Sequence, residues 1–189
     1  MDWSRELLDQ LVWHWENQLR PRLEGLTDDE YFWEPAPGAW NVRPRGESRA
    51  PIAAGAGPMV IEFAVPAPDP APFTTIAWRL GHLVVDVLGA RSASHFAGPA
   101  VDHRSHAHAA TATQALAQLD EQYRTWTAGV AALGAEGLAR ACGPAEGPFA
   151  EYPMAALVLH THREVIHHGA EISLLRDLHL HRIDDATDR

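Results

Sequence analysis

The strongest constraint on the fold is an uninterrupted helical pattern near the C-terminal end of the chain. It runs from about Met154 to Leu178 and follows Pro153, a residue type that suits the first turn of a helix. A helix of about 25 residues, at about 1.5 Å each, spans nearly 40 Å. Because that length crosses a whole domain, we expect the rest of the chain to pack along this helix.

Three further segments show the spacing of an amphipathic helix, with apolar side chains recurring about every 3.6 residues. These segments are residues 3–24, 76–96 and 113–134. A capping box of Thr27 and Glu30 predicts one additional short helical turn. Four long helices with almost no strand predict an all-α four-helix bundle. We expect one domain over residues 1–180 and a polar tail over residues 181–189.

Between the first and second long helices lies a proline-rich loop. Residues 34–73 hold nine of the 14 prolines in the chain, and no helix can run through that density. Within it, Met59–Val65 is rich in β-branched and aromatic residues, which predicts a short strand with Trp40–Arg43 as its candidate hairpin partner. A long loop without structure is unusual in a compact domain, so we expect Trp40 to pack it down over a cavity.

The charge of the chain excludes some classes of partner. Its 189 residues carry 15 Arg, no Lys and 25 acidic residues, a formal net charge of −10. Nucleic acids and anionic membrane surfaces need a cationic face, so neither is expected as a partner. The first residues show no apolar signal region, and no 18-residue apolar stretch follows. The one cysteine, Cys142, lacks a base nearby in sequence and is not expected to act as a nucleophile. We expect a soluble, cytoplasmic protein.

The last helix carries two titratable residues in the middle of its apolar stripe. Glu164 and His168 are four residues apart, so both side chains project from adjacent turns of one face. An ionised carboxylate in a dry core needs a partner or a metal ion. The spacing leaves three interpretations open: two metal ligands, a Glu–His hydrogen bond in the core, or an exposed pair.

The second long helix shows the same anomaly. His82 lies in the middle of an apolar face, with Asp86 one turn later. Facing helices of a bundle build sites in this way, and two imidazoles with one carboxylate leave a fourth position open on Zn²⁺. Asp86 could hold an imidazole N–H or accept a proton in the cavity, or it could be a solvated acid. His82, Glu164 and His168 are therefore the candidate metal ligands.

The remaining histidines rank lower. His160 extends the stripe of the last helix and is a reserve ligand, whereas His162 points to the opposite side. His167 flanks the site, and His14 shares a face with two glutamines and could line a cavity. Asp86, His14 and His167 are the candidate proton carriers. A short loop holds three more histidines, which we expect to be solvated: His103, His106 and His108.

Three stretches together resemble the DinB-like family of four-helix bundles, in a branch typical of GC-rich actinobacteria. They are WEP with GAW at residues 33–40, TTIAWRLGHL at residues 74–83 and REVIHHGAEISLLRDL at residues 163–178. In this family a histidine of the second helix and a pair four residues apart in the last helix bind a divalent metal. The resemblance implies the ligand set His82, Glu164 and His168, with Glu at the first position of the pair, as in the branch of mycothiol-dependent maleylpyruvate isomerases.

The resemblance also implies an activity. Characterised relatives use the metal to activate a low-molecular-weight thiol, such as mycothiol, for isomerisation or S-transfer. We therefore expect a metal-dependent transferase or isomerase that acts on a small electrophile, and the family suggests a homodimer. The isomerases carry a second C-terminal domain, which we do not expect in this protein, so maleylpyruvate itself is not the expected substrate.

Two other functions remain open from the sequence. One is a metal-dependent hydrolase that places metal-bound water in the open position. The other is a non-catalytic module that binds a metal or a small molecule. Zn²⁺ is the expected ion, although Ni²⁺, Fe²⁺ and Mn²⁺ also accept nitrogen and oxygen ligands.

Overall fold

A computed structural model describes residues 2–182 of the chain. The helices, in chain order, are α1 (Trp3–His14), α2 (Arg20–Arg22), α3 (Asp28–Phe32), α4 (Ile76–His82), α5 (Ala90–His95), α6 (Ala112–Ala131), α7 (Gly134–Ala139) and α8 (Met154–Leu180). A 3₁₀ turn covers Pro144–Phe149. The π-helical segments Trp15–Leu19 and Leu83–Gly89 join α1 to α2 and α4 to α5. These two continuous helices, with α6 and α8, are the four long helices that the sequence predicts.

Local hydrogen bonds define where the helices begin. The capping box before α3 is present as predicted, because Thr27 Oγ1 accepts from the Glu30 N–H and the Glu30 carboxylate accepts from the Thr27 N–H. The side chain of Thr75 likewise caps α4 by accepting from the Trp78 N–H. These caps satisfy backbone donors that the first helical turn leaves unpaired.

The proline-rich loop contains a small antiparallel sheet. Its strands are β1 (Val42–Pro44), β2 (Ile52–Ala54) and β3 (Met59–Phe63), in the order β1-β3-β2. The pairing of β3 with β1 confirms the expected strand and its partner segment, with Val42 opposite Ile61. The two strands do not form the expected hairpin, because β2 lies between them in the chain and is itself the hairpin partner of β3. The sheet also contains β2, which the sequence does not predict because its alanines have low strand propensity. The fold is therefore helix-rich with a sheet, rather than purely helical.

The long helices bury a shared apolar core. The first long helix contacts α6 and α8, and the second contacts the same two helices. Trp15 stacks on Tyr123 with ring centroids 3.8 Å apart, and the fully buried Trp126 contacts the ring of Phe96. Burial of such large aromatic side chains provides much of the free energy that holds the helices together.

Two predictions concern the tail of the chain and the absence of a membrane-spanning segment. The predicted polar tail over residues 181–189 lies, from residue 183 onward, outside the described residues. Within residues 2–182, no helix combines the length and the apolar character needed to span a lipid bilayer.

Candidate metal centre

The structure places the three predicted metal ligands near one another on two packed helices. The second long helix packs against α8, and the imidazole rings of His82 and His168 meet edge to face with centroids 4.8 Å apart. On α8, His168 Nε2 lies 3.6 Å from the Glu164 carboxylate. His82 and Glu164 line the same small cavity, but the donor atoms of the three residues do not all lie within 4.8 Å of one another.

Each of the two imidazoles is oriented by a carboxylate at its other nitrogen. His82 Nδ1 lies 2.8 Å from Asp86 Oδ2, and His168 Nδ1 lies 2.6 Å from Glu171 Oε2. Donation of the Nδ1 proton to a carboxylate leaves the Nε2 lone pair free, and this arrangement orients histidine ligands in many metal sites. Burial lowers the pKa of His168, which also favours the neutral ring that a metal requires.

The helix that carries His82 is distorted at this point. His82 is the last residue of α4, and Asp86 lies in the π-helical segment that follows. π-helical turns occur frequently at functional sites. On the preceding turn, Trp78 stacks on His82 with centroids 5.5 Å apart and donates from Nε1 to the Glu62 carbonyl of β3 at 2.7 Å. The sheet therefore supports His82 through Trp78.

Asp86 also holds the loop that follows α5. Its Oδ2 lies 2.8 Å from His103 Nε2, so one carboxylate oxygen serves two imidazoles. Burial opposes ionisation of Asp86, yet the hydrogen bonds from His103 and His82 hold its pKa below the ordinary value. Asp86 is therefore a stable carboxylate and a weak base.

The loop histidines correct one expectation. His108 is only 5% exposed, and its ring lies 5.4 Å from that of His103 and 4.9 Å from that of His106. The prediction of solvated side chains is wrong because the loop folds back onto the sheet and α4. The ring of His108 fits against Gly55 and Gly81, and a Cβ atom at Gly55 would lie only 3.3 Å from it.

A second group of residues lies on the Nδ1 side of His168. His167, His168 and Glu171 place their donor atoms close enough to hold a metal ion. His167 itself is exposed, with Nε2 3.5 Å from Glu171. However, Arg79 Nη1 lies 2.8 Å from Glu171 Oε2 and 3.2 Å from His168 Nδ1. The guanidinium charge at this position opposes the binding of a second cation.

A small cavity opens beside the predicted ligands. Its volume is about 100 Å³, and its lining comes entirely from the second long helix and α8, including His82, Asp86 and Glu164. The proline-rich loop was expected to cover a cavity here, but it supplies none of this lining. It packs instead against the first turns of α4, where Trp40 stacks near Trp78. His160 also lines the cavity, with Nδ1 3.4 Å from Glu164.

Two other predicted residues lie elsewhere. His14 Nδ1 forms a hydrogen bond of 2.7 Å with Gln18 Oε1. His14 lines a separate cavity beside Gly169, so the structure does not bring it to His82. His162 is buried against Trp126 on the opposite side of α8, as its angular position predicts.

Burial raises the pKa of the Cys142 thiol, consistent with the expectation that it is not a nucleophile.

Three residues of this site were not predicted from the sequence. Glu171 lies three residues after His168, and Arg79 lies three residues before His82, so both follow helical spacing. That spacing was a usable signal, although it also describes ordinary surface ion pairs. His103 had no such signal, because only the folded loop brings it to Asp86.

Comparison with known proteins supports the family resemblance. No curated protein and no solved structure matches this chain. The family model described as the DinB superfamily matches residues 50–172, which include all three predicted ligands. Domains of this superfamily often bind metal. Because the match covers more than half of the sequence, the chain belongs to the DinB superfamily.

Proposed function

We propose that His82, Glu164 and His168 hold a divalent metal ion, most favourably Zn²⁺. The observation that carries this proposal is the pairing of both Nδ1 atoms with carboxylates, which leaves both Nε2 lone pairs free beside a cavity that His82 and Glu164 line. Neighbouring ligands of a tetrahedral zinc site with bonds of about 2.0–2.1 Å are about 3.3 Å apart. The 3.6 Å between His168 Nε2 and Glu164 Oε2 is close to that separation.

We prefer this site to the group of His167, His168 and Glu171. At that group Arg79 already neutralises Glu171, so a cation would have to displace an ion pair. At the proposed site, the ion-pair contacts of Glu164 with described residues are longer: 3.5 Å to Arg163, 3.4 Å to His160 and 3.6 Å to His168. Glu164 is therefore the carboxylate with charge available for an ion.

The proposed reaction is thiol-dependent S-transfer or isomerisation of a small electrophile. A divalent cation bound here would lower the pKa of a coordinated thiol, such as mycothiol, so that it is a thiolate at neutral pH. The chain itself orients the site: Asp86 holds His82, Glu171 holds His168, and Trp78 packs on the face of His82. The low pKa of Asp86 suits this positioning role better than proton transfer.

Metal content is the first test. Elemental analysis and zinc titration of the purified protein are compared with His82→Ala, Glu164→Gln and the matched control His167→Ala. We expect the first two variants to lose at least about tenfold in zinc affinity, since each removes a ligand, and the control to retain it. Loss of zinc only in His167→Ala would instead assign the metal to His167, His168 and Glu171.

Thiol dependence is the second test. Loss of an electrophile is followed in the zinc-loaded protein with and without mycothiol, and ester hydrolysis is measured without thiol. A rate that requires both mycothiol and His82 supports the proposal. Hydrolysis without thiol would favour the hydrolase, and the absence of any rate would favour a non-catalytic binding module.

We propose that the four long helices form the four-helix bundle of the family and that the protein acts on a small molecule in the cytoplasm as a homodimer. Light scattering of the purified protein measures the oligomeric state.

A further inference from the structure

A larger groove adjoins the small cavity beside His82. Its volume is about 400 Å³, and it shares Arg91 and His160 with the small cavity. That volume lies in the range of about 300–1,000 Å³ that is typical of small-molecule sites. A ligand in the groove would therefore reach the proposed metal centre at one end.

One wall of the groove is aromatic. Phe149 and Tyr152 lie on the segment before α8 and are 60% and 55% exposed. Their rings meet edge to face, with centroids 5.6 Å apart and planes at 80°. The corner between two such rings presents apolar surface to a ligand rather than to the protein core. A planar apolar group is the complement of this wall.

Another part of the groove lining is cationic. Arg163 has a side chain that is 70% exposed, and its closest contacts are His160 Nδ1 at 2.6 Å and Glu164 Oε1 at 3.5 Å. The contact with Glu164 is long, so the exposed guanidinium keeps N–H donors for a ligand. Its planar geometry suits a carboxylate.

The other charges of the groove are already paired. Arg91 donates to the Asp86 carbonyl at 2.6 Å. Glu146 lies 2.9 Å from His95 Nε2 and 3.8 Å from Arg91 Nη2. The acidic residue of the groove therefore has cationic or hydrogen-bonding neighbours, and Arg163 remains as the charge directed toward a ligand.

We propose that this groove binds a small organic anion with a planar apolar body. Its carboxylate would pair with Arg163, and its ring would pack against Phe149 and Tyr152. The further claim that such an anion is the substrate rests on the proposed function, because it requires the metal centre at the adjoining cavity.

Two matched probes test the groove. Naphthalene-2-carboxylate and the neutral naphthalene-2-carboxamide are titrated calorimetrically into the zinc-loaded protein. We expect the carboxylate to bind about tenfold more tightly, since a charge-assisted pair with arginine adds to the same ring contacts. Equal affinity for the two probes would overturn the inference.

Three variants locate the binding. Arg163→Gln should remove the preference for the carboxylate, whereas Arg124→Gln, an exposed arginine on α6, should retain it. Phe149→Ala should weaken both probes by a similar factor. Wild-type preference in Arg163→Gln, or an equal loss in Arg124→Gln, would contradict the assignment because the selectivity would then come from elsewhere.

The two proposals fail separately. If the protein binds no metal yet prefers the carboxylate through Arg163, the groove is supported and the metal-dependent function is wrong. If zinc binds through His82 without any preference between the probes, only the groove assignment is overturned.

Discussion

His108 is a neutral base enclosed by the fold. Its ring is buried where the loop after α5 meets the sheet, and it faces His103, His106 and, more distantly, Asp86. Burial lowers its pKa to about 3, and the two neighbouring imidazoles act in the same direction. An ordinary histidine has a pKa of about 6.5, so the native state resists a proton that the unfolded chain accepts.

This difference predicts a loss of stability in mild acid. The contribution of His108 is fully present above about pH 6.5 and declines by up to about 1.4 kcal/mol per pH unit as the pH falls toward 3. Urea unfolding at about pH 7.5, 6 and 5 measures the slope. We expect His108→Gln to have a shallower slope than the wild type, while the exposed control His181→Gln keeps it. The same slope in both variants would show that His108 is not responsible.

At the scale of elements, a glycine lets two helices approach. A Cβ atom at Gly129, on α6, would overlap the ring of Phe96, which follows α5. That ring packs in turn on Trp126. Close contact between the end of the second long helix and α6 therefore depends on the missing side chain.

Gly129→Ala is expected to destabilise the protein by about 1–3 kcal/mol, because overpacking outweighs the gain of about 1 kcal/mol in helix propensity. Thr113→Ala, at an exposed position of the same helix, should change the free energy of unfolding by less than about 0.5 kcal/mol. Chemical denaturation measures both values. A Gly129→Ala variant as stable as the wild type would mean that Phe96 moves aside at no cost.

At the scale of the whole molecule, the proposed metal would tie together the second long helix and α8. Zinc at about 100 times its dissociation constant adds about 2.7 kcal/mol to the free energy of unfolding, which corresponds to roughly 5–10 °C in Tm for a chain of this size. We expect this increase in the wild type and in His167→Ala, but not in His82→Ala. A thermal scan with and without zinc measures it, and an equal increase in His82→Ala would exclude His82 as a ligand.

Much of the fold could be predicted because its signals are local. The 3.6-residue spacing of apolar side chains identified the long helices, and the Thr27–Glu30 box marked the start of α3. The same spacing identified Glu164, His168 and His82 as titratable residues on apolar stripes. By contrast, β2 has a weak local signal, since its alanines join a sheet only because β3 offers an unpaired edge.

By itself, the sequence determined the helices and which of their faces carry titratable side chains, because helical periodicity depends on neighbours within a few residues. Only the tertiary structure decided that His82 meets His168, that Asp86 is shared with His103, and that Arg79 occupies the Nδ1 side of His168. It also decided the burial of His108. Such contacts join residues distant in the chain, and they arise from the packing of whole elements, which no local pattern encodes.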